Sequence, residues 1–98
     1  MEIIKKKNES KLEVALEGRL DTTTSPELEK IVQGELEGVS EFVLDFEKLD
    51  YVSSAGLRVI LSAQKIMNRQ GDMVVRNVCE GIMEVFEITG FCDILTIE

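Results

Sequence analysis

The sequence predicts an α/β fold in which a mixed or parallel β-sheet carries its helices mainly on one face. The chain has 98 residues, 44% of them hydrophobic and 31% charged, which is typical of one globular domain, here residues 1–98. Short apolar segments alternate with segments whose apolar residues recur at helical spacing, in the order β-β-α-β-α-β-α-β. Strands that alternate with helices imply right-handed crossovers between parallel strands.

The first two elements are predicted to form a hairpin. Residues 2–7 have the pattern of an edge strand that ends in lysines. Residues 12–18 alternate apolar and polar side chains, with Ala15 as a weak exception, which is typical of a strand with one buried face. Residues 8–11 are the predicted turn between them.

The first helix has a recognisable beginning. Thr24 and Glu27 have the spacing of a capping box, and Pro26 suits the first turn because its missing N–H costs nothing there. Apolar residues then recur at helical spacing, at Leu28, Ile31, Val32 and Leu36. Gly38 is the predicted end of the helix.

The remaining elements follow from the same patterns. They are a buried central strand at 42–46, a largely buried helix at about 54–70 that Gly71 ends, a buried strand at 73–75, a helix at about 80–88 that Gly90 ends, and a last strand at 94–97. With three helices, one face of the sheet is expected to be well covered and the other only partly covered.

Composition excludes several classes of function. Nineteen acidic residues against eleven basic ones give a net charge of −8, so direct binding to nucleic acid is disfavoured and a partner with a basic or mixed surface is expected. No apolar run approaches the roughly 20 residues that span a bilayer, so no membrane insertion is expected. No signal peptide is recognisable at the N-terminus, and a cytoplasmic location is expected.

The chemistry of the side chains also argues against an enzyme. The chain contains no His, which excludes Ser-His-Asp and Cys-His catalysis and every His-containing metal site. Cys79 and Cys92 do not form a CxxC pair, and we interpret them as reduced, partly buried thiols. No cofactor and no metal ion are expected.

The segment 49–61 carries the strongest functional signal. Ser53 and Ser54 precede a strong helix, and the small residues Ala55 and Gly56 follow at once. One interpretation is an N-cap, which contributes about 1 kcal/mol. The other is an accessible phosphate acceptor, because helix N–H groups and the helix dipole favour an anion there. The two interpretations are compatible.

These residues resemble a known family. Residues 50–61, Asp-Tyr-Val-Ser-Ser-Ala-Gly-Leu-Arg-Val-Ile-Leu, are similar to the signature segment of STAS domains of the anti-sigma factor antagonist class. Further similarities cover nearly the whole chain, at 18–21 (Gly-Arg-Leu-Asp), 42–46, 71–75 and 86–91. The resemblance implies a STAS-like mixed sheet.

The resemblance also implies a function. In this family a partner that is both anti-sigma factor and serine kinase phosphorylates a serine just before the signature helix, and a phosphatase restores the unphosphorylated form, which binds the partner and frees a sigma factor. The matching acceptor is Ser54. Many members have Asp where this chain has Ser53, which makes Ser53 a second candidate acceptor. From their positions, Asp21, Ser53, Ser54, Gly56 and Arg58 are the expected partner-binding residues. The alternatives are a helix-flanking cap for Asp21, tight packing for Gly56 and a solvated helix charge for Arg58.

Other interpretations remain open at this point. A STAS module that is never phosphorylated would act as an adaptor subunit of a transport or stress-signalling complex. A small-molecule sensor would need a pocket. Asp21, Asp45 and Asp50 are the only residues that suggest a magnesium site, and that interpretation is weak.

Overall fold

The chain folds around a four-stranded sheet, described by a computed structural model of residues 1–98. The elements are β1 (Glu2–Asn8), β2 (Lys11–Leu20), α1 (Ser25–Gly34), β3 (Glu41–Val52), α2 (Ser54–Met67), β4 (Asp72–Arg76), α3 (Glu80–Thr89) and a final 3-10 turn (Phe91–Asp93). This is the predicted order up to the third helix.

The sheet is mixed, as predicted. Its strand order is β1-β2-β3-β4, with β1 antiparallel to β2 and the pairs β2–β3 and β3–β4 parallel. The hairpin turn places Glu9 at a positive φ of 57°. The two parallel pairs are joined by crossovers through α1 and α2, which is the connection that parallel neighbours require.

One face of the sheet carries the core, because side chains alternate between the two faces of a strand. Leu12, Val14 and Leu16 of β2 are buried together with Phe42, Leu44 and Phe46 of β3, beneath the helices. On the other face, Ala15 and Asp45 are only half-buried. The helices therefore lie mainly on one face, as the sequence predicts.

The predicted last strand is much shorter than expected. Residues 94–97 form a single parallel bridge between Ile97 and Val75 of β4. Two hydrogen bonds hold it, from the Val75 N–H to the Thr96 carbonyl and from the Glu98 N–H to the Val75 carbonyl, each 2.9 Å. Leu95 is buried, so this segment closes one end of the core without extending the sheet.

Two glycines that were predicted to end helices lie instead in the loops after them. Helix α1 ends at Gly34, and Gly38 lies in the following loop with a φ of 79°. Helix α2 ends at Met67, before Gly71. A Cβ at Gly71 would collide with the backbone of Ser40, so a close approach of two loops explains this glycine. Gly90 is left-handed, with a φ of 81°, and ends α3 as predicted.

No helix of the structure is both long enough and apolar enough to cross a membrane.

Candidate functional site

The two serines lie at the start of α2. Ser53 is the N-cap residue, and its Oγ accepts a hydrogen bond of 3.4 Å from the Gly56 N–H. Its own N–H donates to the Leu20 carbonyl at 2.9 Å, which ties the start of α2 to the end of β2. Ser54 is the first residue of the helix and is exposed, whereas Ser53 is half-buried. The N-cap role therefore belongs to Ser53, and the Ser54 hydroxyl faces solvent.

Gly56, two residues after the exposed Ser54, is buried in the first turn of α2. A Cβ at this position would lie 2.8 Å from Leu20 Cγ and 3.0 Å from the Leu20 carbonyl oxygen. The first turn of α2 can therefore approach the end of β2 only because residue 56 has no side chain. Of the two sequence interpretations of Gly56, close docking of a partner and tight packing, the contact with Leu20 supports tight packing.

Asp21 organises the loop between β2 and α1. Its Oδ1 accepts hydrogen bonds from the Thr23 N–H at 3.0 Å, the Thr23 hydroxyl at 2.8 Å and the Thr24 N–H at 3.1 Å. The Thr23 hydroxyl bond contributes most to lowering the pKa of Asp21. Partial burial opposes that shift, and the two backbone N–H bonds reinforce it. The carboxylate is thus held charged in a fixed loop.

The predicted capping box at Thr24 does not form. Thr24 is the N-cap residue of α1, but its side chain makes no capping bond. Its hydroxyl donates to the Arg19 carbonyl at 2.7 Å and accepts from the Asp21 N–H at 2.8 Å. These partners lie at the end of β2 and in the loop after it, and they occupy the hydroxyl that a capping box needs. Pro26 lies in the first turn, as predicted.

Arg19 and Tyr51 form an exposed pair at the same end of the sheet. The register of the parallel strands sets them side by side, and the Arg19 guanidinium carbon lies 4.2 Å from the centre of the Tyr51 ring. The Arg19 Nε also lies 3.8 Å from Asp21 Oδ2. Arg and Tyr are the residue types that contribute most to protein interfaces. Sequence reasoning missed this pair because only the register of β2 against β3 brings the two side chains together.

Arg58 lies on the exposed side of α2, one turn after Ser54. It lines a cleft of about 300 Å³ between α1 and α2, bounded by Thr22, Ser25, Pro26, Glu29, Ala55, Arg58, Val59 and Ser62. Ser25 is only 3% exposed, and its Oγ has no hydrogen-bond partner. The cleft could not be predicted from the sequence, because it depends on how the two helices pack.

The three aspartates considered for magnesium do not come together. The structure contains no group of three His, Cys, Asp or Glu residues able to hold a metal ion. Strand β3 continues to Val52, so Asp45 lies inside the strand rather than at its end, and its Oδ1 accepts a hydrogen bond of 3.0 Å from Asn77. Asp50 also lies in β3, two residues before its end. Asp21 follows the last residue of β2 at the same end of the sheet.

Sequence comparison assigns the chain to a family. The STAS domain family model matches residues 2–98. BtrV of Bordetella bronchiseptica, named as an anti-sigma factor antagonist, is 34% identical over 99% of this chain and 85% of its own length. The anti-sigma-B factor antagonist of Bacillus subtilis is 31% identical over 94% of this chain and 85% of its own length.

Solved structures share the fold. The Bacillus cell fate determinant SpoIIAA, an anti-sigma factor antagonist, is known in an unphosphorylated and a phosphorylated form. The two forms superpose on this chain with TM-scores of 0.78 and 0.79, each over 99% of the chain and over 87% and 91% of their own lengths. Sequence identity is 17% and 16%, so the likeness is one of fold.

The family model spans nearly all of the chain, the Bordetella and Bacillus relatives at 34% and 31% identity are named as anti-sigma factor antagonists, and the solved structures show the same fold. The chain therefore belongs to the STAS domain family and, within it, to the anti-sigma factor antagonists.

Proposed function

We propose that the unphosphorylated chain binds an anti-sigma factor that is also a serine kinase, and that this binding frees a sigma factor. Phosphorylation of Ser54 inactivates the chain, and a phosphatase reverses it. The exposed Ser54 hydroxyl at the first position of α2 is the observation that carries the proposal, because a kinase can reach it without unfolding the domain. The proposed role belongs in the cytoplasm, the compartment in which sigma factors act.

The surroundings of Ser54 suit a reversible switch. A phosphate adds about −1.5 to −2 charge at pH 7. At an exposed helix N-terminus this charge is favoured by about 0.3–1 kcal/mol, so the modification is compatible with the fold. Its effect falls on the docked complex instead, in which the phosphate loses water and approaches the partner.

Repulsion sets the size of the effect. Two unit charges at 4 Å repel by about 4 kcal/mol at an effective dielectric constant near 20. Because 1.4 kcal/mol is tenfold in affinity, an acidic partner group at that distance weakens binding on the order of a thousandfold. Arg19, 3.8 Å from Asp21 Oδ2, and Arg58 offset the charges of Asp21 and Asp50 at this end of the sheet, so the phosphate itself supplies the change in potential.

Phosphate mapping tests the acceptor. The protein is incubated with ATP and the serine kinase encoded beside its gene, and the modified residue is located by mass spectrometry. We expect the label on Ser54 and none on Ser54→Ala, which keeps its affinity for the kinase. Ser53→Ala is the matched control and remains labelled.

Undiminished labelling of Ser54→Ala would move the acceptor to Ser53 or elsewhere. A complete absence of labelling, together with tight binding to a transport or stress-signalling complex, would favour an adaptor that is never phosphorylated.

A further inference from the structure

We propose that the outer face of helix α3 docks a basic amphipathic helix of a partner protein. This face, called the α3 face below, consists of Gly81, Glu84, Val85 and Ile88, whose spacing sets them along one side of the helix. The inference goes beyond the role of Ser54, because it concerns a second interaction surface. Its basis is an apolar helix that the core covers only in part.

Helix α3 has more apolar side chains than the core covers. Five of its ten residues are large and apolar, but only Ile82 and Phe86 are buried. In α1, by contrast, Leu28, Ile31 and Val32 are all buried. The uncovered apolar surface is therefore specific to α3.

Ile88 lies at the centre of the uncovered surface. Its side chain is 85% exposed, the largest exposure among the large hydrophobic residues of the chain. Val85 beside it is half-buried, and a Cβ at Gly81 would meet nothing within 4 Å, so no other element covers this side of α3. An exposed β-branched residue adds nothing to the core and is less favourable than Ala in a helix. A contact outside the chain gives this residue a purpose.

The charges around α3 select the partner. Glu80, Glu84 and Glu87 are exposed and take part in none of the ion pairs of the structure. Residues 77–98 include five acidic side chains and no Lys or Arg. A second copy of the chain would bring like charges together, and an anionic membrane surface would be repelled. A partner that carries Lys or Arg around an apolar stripe matches both the charge and the apolar centre.

The dimensions of the α3 face suit a helix. From Gly81 to Ile88 it is about 10 Å long, or about two helical turns. The bare surface of Gly81 allows a partner backbone to approach closely, and the side chains of Val85 and Ile88 form the apolar ridge. Amphipathic helices dock through apolar residues at this spacing.

The α3 face lies away from Ser54. Cys79, which like Cys92 is exposed rather than partly buried as the sequence suggested, is the N-cap of α3. Its Sγ lies 3.8 Å from the Leu49 carbonyl oxygen, near the end of β3 that precedes Ser54. Ile88 lies near the other end of the helix, about 13 Å farther along. A helix centred on Ile88 therefore leaves room for a kinase at Ser54.

A designed peptide tests the α3 face. The probe is a helical peptide of about 15 residues with leucines along one side and lysines along the other, titrated into isotope-labelled protein and followed by NMR. A scrambled peptide of the same composition keeps the charge but lacks the apolar stripe, and a third peptide has glutamate in place of lysine. We expect saturable shifts centred on the Glu84, Val85 and Ile88 amides with the probe, weaker and diffuse shifts with the scrambled peptide, and none with the glutamate peptide.

Two pairs of variants assign the contacts, at physiological salt so that distant charges are screened. We expect Ile88→Ser to weaken the binding of the probe about tenfold, the loss of one central apolar contact, and Ile4→Ser, exposed on β1, to leave it unchanged. Glu84→Gln weakens it several-fold, whereas Glu29→Gln removes the same charge from α1 and leaves it unchanged. All four side chains are exposed, so the fold is expected to persist, and native amide spectra verify this.

Equal binding of the probe and the scrambled peptide would overturn the proposal, because it would show only a general attraction between a basic peptide and an acidic chain. Unchanged binding in Ile88→Ser, or shifts centred on Ser54, would overturn it as well. Sedimentation of the free protein tests the second copy: we expect a monomer, and a dimer that Ile88→Ser breaks would replace the partner helix by another chain. None of these outcomes depends on phosphorylation, so the result is independent of the phosphate mapping.

Discussion

At the scale of single residues, the two adjacent serines have separate tasks. Ser53 caps α2 and bonds to β2, so its hydroxyl serves the fold. Ser54 makes no capping bond and presents its hydroxyl to solvent. A phosphate on Ser54 therefore leaves the capping bond in place, whereas a phosphate on Ser53 disturbs it.

The free energy of unfolding tests whether Ser53, and not Ser54, caps α2. We expect Ser53→Ala to lower the free energy of unfolding by about 0.5–1 kcal/mol, the lower part of the range for a lost N-cap, because the capping bond is long at 3.4 Å. Ser54→Ala, the matched control, stays close to wild type. Urea denaturation measures both, and an equal loss in the two variants would contradict the assignment of the cap.

Asp21 gives the loop a dependence on pH. The pKa of Asp21 is lower in the folded protein than its ordinary value of about 3.8. A carboxyl with a lowered folded-state pKa stabilises the fold above the unfolded-state pKa, and this contribution is lost as the pH falls through the folded-state value. Asp21→Ala is therefore expected to be less stable than wild type at pH 7, with a smaller difference near pH 3. Urea denaturation at both pH values checks this, and a difference that does not change with pH would rule out the charge as the cause.

The sequence could not predict how Thr24 bonds. Its spacing to Glu27 fits a capping box, but Asp21 and Arg19 lie close enough in the folded loop to compete for the same hydroxyl. Local sequence rules give the donors and acceptors, and the competition among them is decided by the folded loop.

At the scale of elements, the contact of α2 with β2 fixes where Ser54 lies. Only Ser53 separates the end of β3 from the start of α2. The helix is held to β2 by the Ser53–Leu20 hydrogen bond and by its close packing at Gly56. A displaced helix start would move the Ser54 hydroxyl with it.

A matched pair of glycine substitutions tests this contact. Gly56→Ala gains up to about 1 kcal/mol of helix propensity but overpacks against Leu20, which typically costs about 1–3 kcal/mol, so a net destabilisation is expected. Gly81→Ala, also in the first turn of its helix, meets nothing within 4 Å and should be neutral or stabilising. Thermal or urea unfolding compares the two. A stabilised Gly56→Ala would contradict the close packing of helix and strand.

Element boundaries were predictable where a local signal decides them. Pro26 near the start of α1 and Gly90 at the end of α3 are such signals. Gly71 and Gly38 were wrongly predicted to end helices. The sequence alone cannot distinguish a glycine that ends a helix from one that a close approach or a loop turn requires. The length of β3 was underestimated, since half of the residues in its second half, 47–52, are charged.

At the scale of the whole molecule, the alternation of strands and helices predicted a mixed or parallel sheet with its helices mainly on one face, and the family resemblance implied the mixed sheet that forms. The last strand was not predictable in length, because an apolar segment that pairs at one residue has the same pattern as a full strand. The α1–α2 cleft and the Arg19–Tyr51 pair depend on helix packing and strand register, which exist only in the folded chain.

The fold also brings the candidate contacts to one end of the sheet. Asp21, Tyr51 and Ser54 all lie at the end of the sheet where β2 and β3 end and α2 begins. A single phosphate at this end therefore changes the potential over the whole proposed docking surface while the core, beneath the helices, stays untouched.

The most direct test of the switch compares two homogeneous proteins, one with phosphoserine incorporated at position 54 during synthesis and the other with Ser54. Calorimetry measures the affinity of each for the anti-sigma factor, and circular dichroism follows the fold. We predict a loss of affinity on the order of a thousandfold at an unchanged spectrum. Equal affinities, or a weaker phosphoserine complex that is explained by an unfolded spectrum, would contradict a switch that acts by repulsion at the docking surface.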